Sequence, residues 1–105
     1  MIHYIEEKQL TNEVLKANQL LLAEFCISNS ELCDTQNLIL HEIEKKYQND
    51  IQVFKIIDAE IQELNLKYQI NSFPTILFFK EAKEVTRQVG LASEEKLNGF
   101  IQELL

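Results

Sequence analysis

The chemistry that this chain can offer is concentrated in one stretch, Glu24-Phe25-Cys26-Ile27-Ser28-Asn29-Ser30-Glu31-Leu32-Cys33, which holds both of its cysteines. The stretch begins inside a continuous apolar run, Leu20 to Ile27, broken only by Glu24. Such a run suits a central strand covered on both faces. A helix start follows at once. Ser28-Asn29-Ser30-Glu31 has the Ser-x-x-Glu spacing in which a hydroxyl caps the third helical N–H and the glutamate reaches back. Cys26 therefore leaves the strand, and Cys33 stands one turn into the helix. A thiol near a helix N-terminus lies beside unpaired N–H groups and the positive end of the dipole, which favours its thiolate. Glu24, a carboxyl in an apolar strand, is expected to have a raised pKa and the capacity to act as a general base. His3 and His41 are far apart, and no Cys/His/Asp spacing has the form of a zinc site, so neither metal nor cofactor is expected.

The rest of the chain must supply the frame for these residues. At 105 residues it supports a single domain, 1–105, with one modest core. A hydrophobic fraction of 46%, with two glycines and one proline, argues for a compact α/β domain. The net charge of −7 disfavours nucleic acid and anionic membrane surfaces, and no apolar stretch approaches the ~20 residues of a membrane helix. The first residues lack a basic segment followed by an apolar one, so no secretory signal is expected. Two cysteines without such a signal suggest a reducing, cytoplasmic setting.

The pattern along the chain is β-α-β-α-β-α-β-β-α. Ile2–Ile5 reads as a short strand, and 7–17 as a helix with Leu10, Val14 and Leu15 on one side. After the strand at 20–27, a long helix from about Asn29 to Gln48 carries Leu32, Gln36, Ile39, Leu40, Ile43 and Tyr47 near one stripe. Ile51–Ile57 is rich in β-branched and aromatic residues and reads as a strand. A helix over 59–69 follows. Pro74 then precedes a strand at 75–79, a turn at 80–83, and a charged edge strand at 84–89. Ser93 caps a final helix with Leu97, Phe100, Ile101 and Leu104 on one face. Alternating units early and a hairpin late imply a mixed sheet of four or five strands, flanked by helices.

This order, with several motifs in register, resembles the thioredoxin family over nearly the whole chain. The motifs are Val14-Leu15-Lys16-Ala17, Phe25 after an acidic residue, Lys55, Lys67-Tyr68-Gln69-Ile70, Phe73-Pro74-Thr75, Phe79-Lys80 and Val89-Gly90. Pro74 falls at the family's cis-proline, at the expected separation from Cys33. The resemblance implies a thioredoxin fold and a role in thiol–disulfide redox homeostasis. It also implies a groove for extended peptide built by Phe73, Pro74, Thr75, Gly90 and Leu91, where a protein or peptide partner adds as a strand. Glu24 falls at the family's proton-relaying aspartate, and Lys55 at that residue's lysine partner.

The chain departs from the family at its defining motif. In place of Trp-Cys-Gly-Pro-Cys stands Asn29-Ser30-Glu31-Leu32-Cys33. Cys33 holds the resolving position, while Ser30 holds the nucleophile's. A serine hydroxyl is not appreciably ionised near neutral pH and forms no sulfur–sulfur intermediate, so ordinary dithiol exchange is expected to fail. Two classes of function follow. One is an oxidoreductase impaired at Ser30, whether the cysteine was lost naturally or replaced in a parent reading Cys-Glu-Leu-Cys. The other is a redox-inactive module that binds peptides. Cys33 itself has three readings: an inert packed thiol, a residual monothiol, or a partner of Cys26, which stands where the family has an aromatic beside the active-site turn.

Overall fold

The apolar run at Leu20–Cys26 is the middle strand of a five-stranded sheet in the computed structural model of this chain, which describes residues 2–5, 7–57 and 68–105. In order, the elements are β1 (His3–Tyr4), α1 (Glu7–Lys16), β2 (Leu20–Cys26), α2 (Glu31–Lys46), β3 (Ile51–Ile57), β4 (Thr75–Lys80), β5 (Lys83–Val89) and α3 (Glu94–Leu104). The expected helix over 59–69 lies almost wholly outside the described residues; at its end Tyr68 is helical and Gln69 turns with φ 58°.

The strands lie in the order β1-β3-β2-β4-β5. β1 and β2 both run parallel to β3, as the alternating pattern requires. β4 is antiparallel to β2, and β5 to β4, as the late hairpin requires. All seven residues of β2 are buried, which explains its unbroken apolar run. Alternate residues of β2 feed two cores. Leu20 and Leu22 pack with Leu40 and Ile43 of α2, Phe78 of β4, and Leu97 and Ile101 of α3. Leu21, Ala23 and Phe25 pack on the opposite face with Leu10 and Val14 of α1, Phe54, Ile56, Leu77 and Phe79. Truncating a buried ring such as Phe25 or Phe78 to alanine removes about 3–5 kcal/mol. Both helices beside β2 are thereby fixed relative to its C-terminal end.

Three expectations change. Leu15 is 67% exposed, because a ten-residue α1 needs only the narrower stripe of Leu10 and Val14 against the sheet. Leu32 is 51% exposed, and Cys33 takes the buried place in that turn. The cap of α2 is Ser30 and not Ser28. Asn29 adopts φ 59°, a left-handed conformation that the chain must leave before a right-handed helix can begin. The cap of α3 is Ser93 as expected, its side chain accepting from Lys96 N.

Candidate functional site

Every residue of the chemistry-bearing stretch meets at the C-terminal end of β2. Ser30 has extended backbone (φ −113°, ψ 120°) and its Oγ accepts a hydrogen bond from Cys33 N at 3.2 Å. Its carbonyl accepts the first helical bond, from Asp34 N at 3.0 Å. Ser30 is thus fixed as the N-cap, partly accessible, with Cys33 directly beneath it. Cys33 is buried, and so is Cys26; both are free thiols.

Side chains two apart on a strand share a face, so Glu24 and Cys26 extend the Leu20–Leu22 face that packs under α2. Glu24 is fully buried, and neither of its carboxyl oxygens has a hydrogen-bond partner among the described residues. Burial raises its pKa above the ordinary carboxylate range; the neighbouring Cys26 thiol, short of a well-formed hydrogen bond, and the Lys55 charge oppose this without cancelling it. Burial likewise pushes the Cys26 thiol far above the usual thiol range, and Glu24 and Cys33 add to the shift. A thiolate at Cys26 is therefore strongly disfavoured in the closed structure.

Lys55 stands beside Glu24 in the parallel register of β2 and β3. It does not form the expected pair. Its ammonium lies 5.7 Å from the centroid of the Tyr4 ring, and no ion pair joins it to Glu24. A cation over an aromatic face gains quadrupole attraction, and the buried Lys55 finds it at the Tyr4 ring. Lys55 acts on Glu24 only through its field.

The Phe73–Pro74 peptide is cis, and Phe73 is half-buried beside the end of β2. Gly90 N donates to Pro74 O at 2.8 Å, which joins the two segments expected to border the groove. Gly90 has φ 84°, a conformation that glycine adopts without steric cost. Leu91 is 41% exposed beside it. Thr75 differs from expectation: it is buried, and its hydroxyl donates inward to Ser72 O at 2.7 Å. Its side chain therefore positions the turn and offers nothing to a ligand. The Phe73 main chain makes no hydrogen bond among the described residues.

Two features escaped the sequence reading. Ile27, Leu32 and Val89 are exposed at this same end of the sheet and extend an apolar rim around Ser30 with Phe73 and Leu91. Gln36, fully buried, closes two hydrogen bonds with Ala92: its Nε2 donates to Ala92 O at 3.1 Å, and its Oε1 accepts from Ala92 N at 2.8 Å. That amide clamp ties the loop after β5 to α2, one turn beyond Cys33. The signal for it was a polar residue interrupting an otherwise apolar helical stripe.

Comparison with known proteins agrees with this arrangement. The family model described as Thioredoxin matches residues 1–103. The chain is 30% identical over 101 residues to a thioredoxin of Rickettsia bellii, covering 96% of each chain. It is 29% identical over 104 residues to a thioredoxin of Acidithiobacillus ferridurans, covering 99% of this chain and 96% of the relative. To thioredoxin C-2 of Corynebacterium nephridii it is 29% identical over 91 residues, covering 87% and 84%.

Proposed function

The chain belongs to the thioredoxin family, and from that premise we propose that it is a redox-family protein that receives an extended, apolar peptide at the rim around Ser30, with family-type dithiol exchange impaired. The carrying observation is the Ser30 hydroxyl, held at the helix cap by Cys33 N at 3.2 Å in the place of the family's attacking thiol. An alcohol there stays protonated near neutral pH and cannot open a disulfide by forming a sulfur–sulfur bond. The surroundings that would hold the peptide are these: Ile27, Leu32, Phe73 and Leu91 supply apolar surface, and the Phe73 main chain, without a hydrogen bond among the described residues, supplies a donor and an acceptor for strand addition. Both bond types are sequence-tolerant, so the expected partner is an unfolded or extended protein segment of a cytoplasmic protein.

Binding tests this reading. Reduced and alkylated insulin B chain, an extended apolar peptide, should shift the amide resonances of Ile27, Leu32, Gly90 and Leu91. Leu91→Glu places a charge in the rim without touching the core, and should weaken the affinity about tenfold, or roughly 1.4 kcal/mol. Unchanged affinity in that variant, or resonance shifts confined to another face, would overturn it.

A further inference from the structure

The rim around Ser30 carries charge of one sign. Glu31 stands between Ser30 and Leu32, and Asp34 follows in the same turn, its N–H held by Ser30 O at 3.0 Å. Residues three apart on a helix share a face, and both carboxylates are exposed on it. Neither meets a cation among the described residues, whose ion pairs are Glu13–Lys16, Glu42–Lys45 and Glu84–Arg87. On the loop side of the rim, Leu91 leads through the clamped Ala92 to Glu94 and Glu95, exposed in the first turn of α3. The described lysines collect elsewhere. Lys16 ends α1, Lys45 and Lys46 end α2, and Lys80 and Lys83 flank the β4–β5 turn, all toward the other end of the sheet. Lys55 lies over Tyr4, and Arg87 is closed on Glu84; among the described cations only Lys96, beside Glu95, stands at this end. Acids in a first helical turn also suit the helix dipole, but that preference does not require the opposing cations to be absent.

We infer that the rim selects extended segments that carry lysine or arginine among apolar residues, with Glu31 and Asp34 as the groups that recognise the charge. This rests on the peptide binding proposed above and adds the partner's charge to it. The apolar surface of Ile27, Leu32 and Leu91 and the Phe73 main chain tolerate many sequences, so they hold a segment without choosing it. Charge makes the choice. One exposed ion pair contributes little, but unpaired carboxylates of one sign set up a field that steers a basic segment in and turns an acidic one away. Lysine and arginine also suit the surface in shape. Their methylene stems can lie on exposed Leu32 while the charged tip reaches the carboxylate beside it.

The test uses the full chain and three labelled peptides that share the same valine and phenylalanine positions and carry lysine, glutamine or glutamate between them. Binding is read by fluorescence anisotropy at about 0.01 M and about 1 M salt, where the screening length falls from ~30 Å to ~3 Å. At low salt the lysine peptide should bind about tenfold more tightly than the glutamate peptide, with glutamine between them, and the spread should shrink to about twofold at high salt. Glu31→Gln with Asp34→Asn should remove most of the lysine preference and leave glutamine-peptide affinity within about twofold, with a cooperative urea transition showing that the variant is folded. Asp50→Asn with Glu81→Gln removes the same charge from the opposite end of the sheet and should leave the preference intact. Equal affinity for the three peptides, or an equal loss of preference in the two double variants, would overturn the inference and leave the groove standing. Binding of none of the peptides would overturn the peptide-binding reading, and the inference with it. Self-association in sedimentation that Leu91→Glu abolishes would assign the rim to a second copy of this chain, and would overturn both.

Discussion

Glu24 is the residue at which burial and charge conflict most directly. With no hydrogen-bond partner among the described residues, its carboxyl is held above the ordinary carboxylate range by burial. The folded state therefore binds its proton more tightly than the unfolded chain. Stability from this group is fully present below the unfolded-chain pKa and is lost as pH rises through the folded value. Comparing the wild type with Glu24→Gln isolates that effect. The variant should gain on the wild type as pH rises above about 4.5, the model carboxyl value, by up to about 1.4 kcal/mol per pH unit until the folded pKa is passed. Urea unfolding at a series of pH values measures the difference, and a pH-independent gap would show an unperturbed carboxyl. The raised pKa was legible in the sequence, since a single carboxyl stood in an apolar run. Its partner was not. Register alone puts Lys55 beside Glu24, but the long lysine stem lets the ammonium go to Tyr4 instead, a choice that side-chain reach makes possible.

At the scale of elements, the structure rests on how each helix and hairpin begins and ends. Strand β3 and the cap at Ser93 followed directly from β-branched content and from a serine ahead of two glutamates. The start of α2 did not. Ser28 and Ser30 are equal candidates by composition, and the left-handed Asn29 decides between them. The β4–β5 turn carries a related cost. Glu81 and Ala82 have φ 54° and 66°, the left-handed pair that matches the twist of a two-residue hairpin. Ala82→Gly relieves the Cβ conflict there, and should raise unfolding stability by about 1 kcal/mol in urea; a loss would contradict the turn geometry. The Gln36 clamp is equally specific. Gln36→Leu keeps an apolar filler, but strands both polar groups of Ala92, and should cost about 1–3 kcal/mol. The signature that separates it from simple core loss is local: exchange of the Ala92 amide hydrogen should accelerate well beyond that of β2. Equal acceleration throughout the chain would mean that Gln36 only fills space.

Taken whole, the molecule brings three separated segments to one end of a twisted sheet. The helix start after β2, the cis peptide before β4 and the glycine after β5 are joined there by the Gly90–Pro74 and Gln36–Ala92 hydrogen bonds. That convergence was readable because alternating elements fix the topology, and the motif residues fall in register with one family. The exposed rim of Ile27, Leu32 and Val89 was not, because an apolar residue at a strand end or in a first helical turn looks the same buried or exposed. Under the proposed function, the scaffold keeps a peptide-binding surface around a hydroxyl that does not carry out dithiol exchange. The most direct measurement is dithiothreitol-driven insulin reduction by the wild type and by Ser30→Cys, at equal concentration. Ser30 caps the helix start that carries Cys33, and under the proposed function a cysteine there supplies the attacking thiol. The wild type should run at the background rate, and Ser30→Cys should exceed it by at least tenfold. Insulin reduction by the wild type equal to that of the variant, or no gain in a folded variant, would contradict the account.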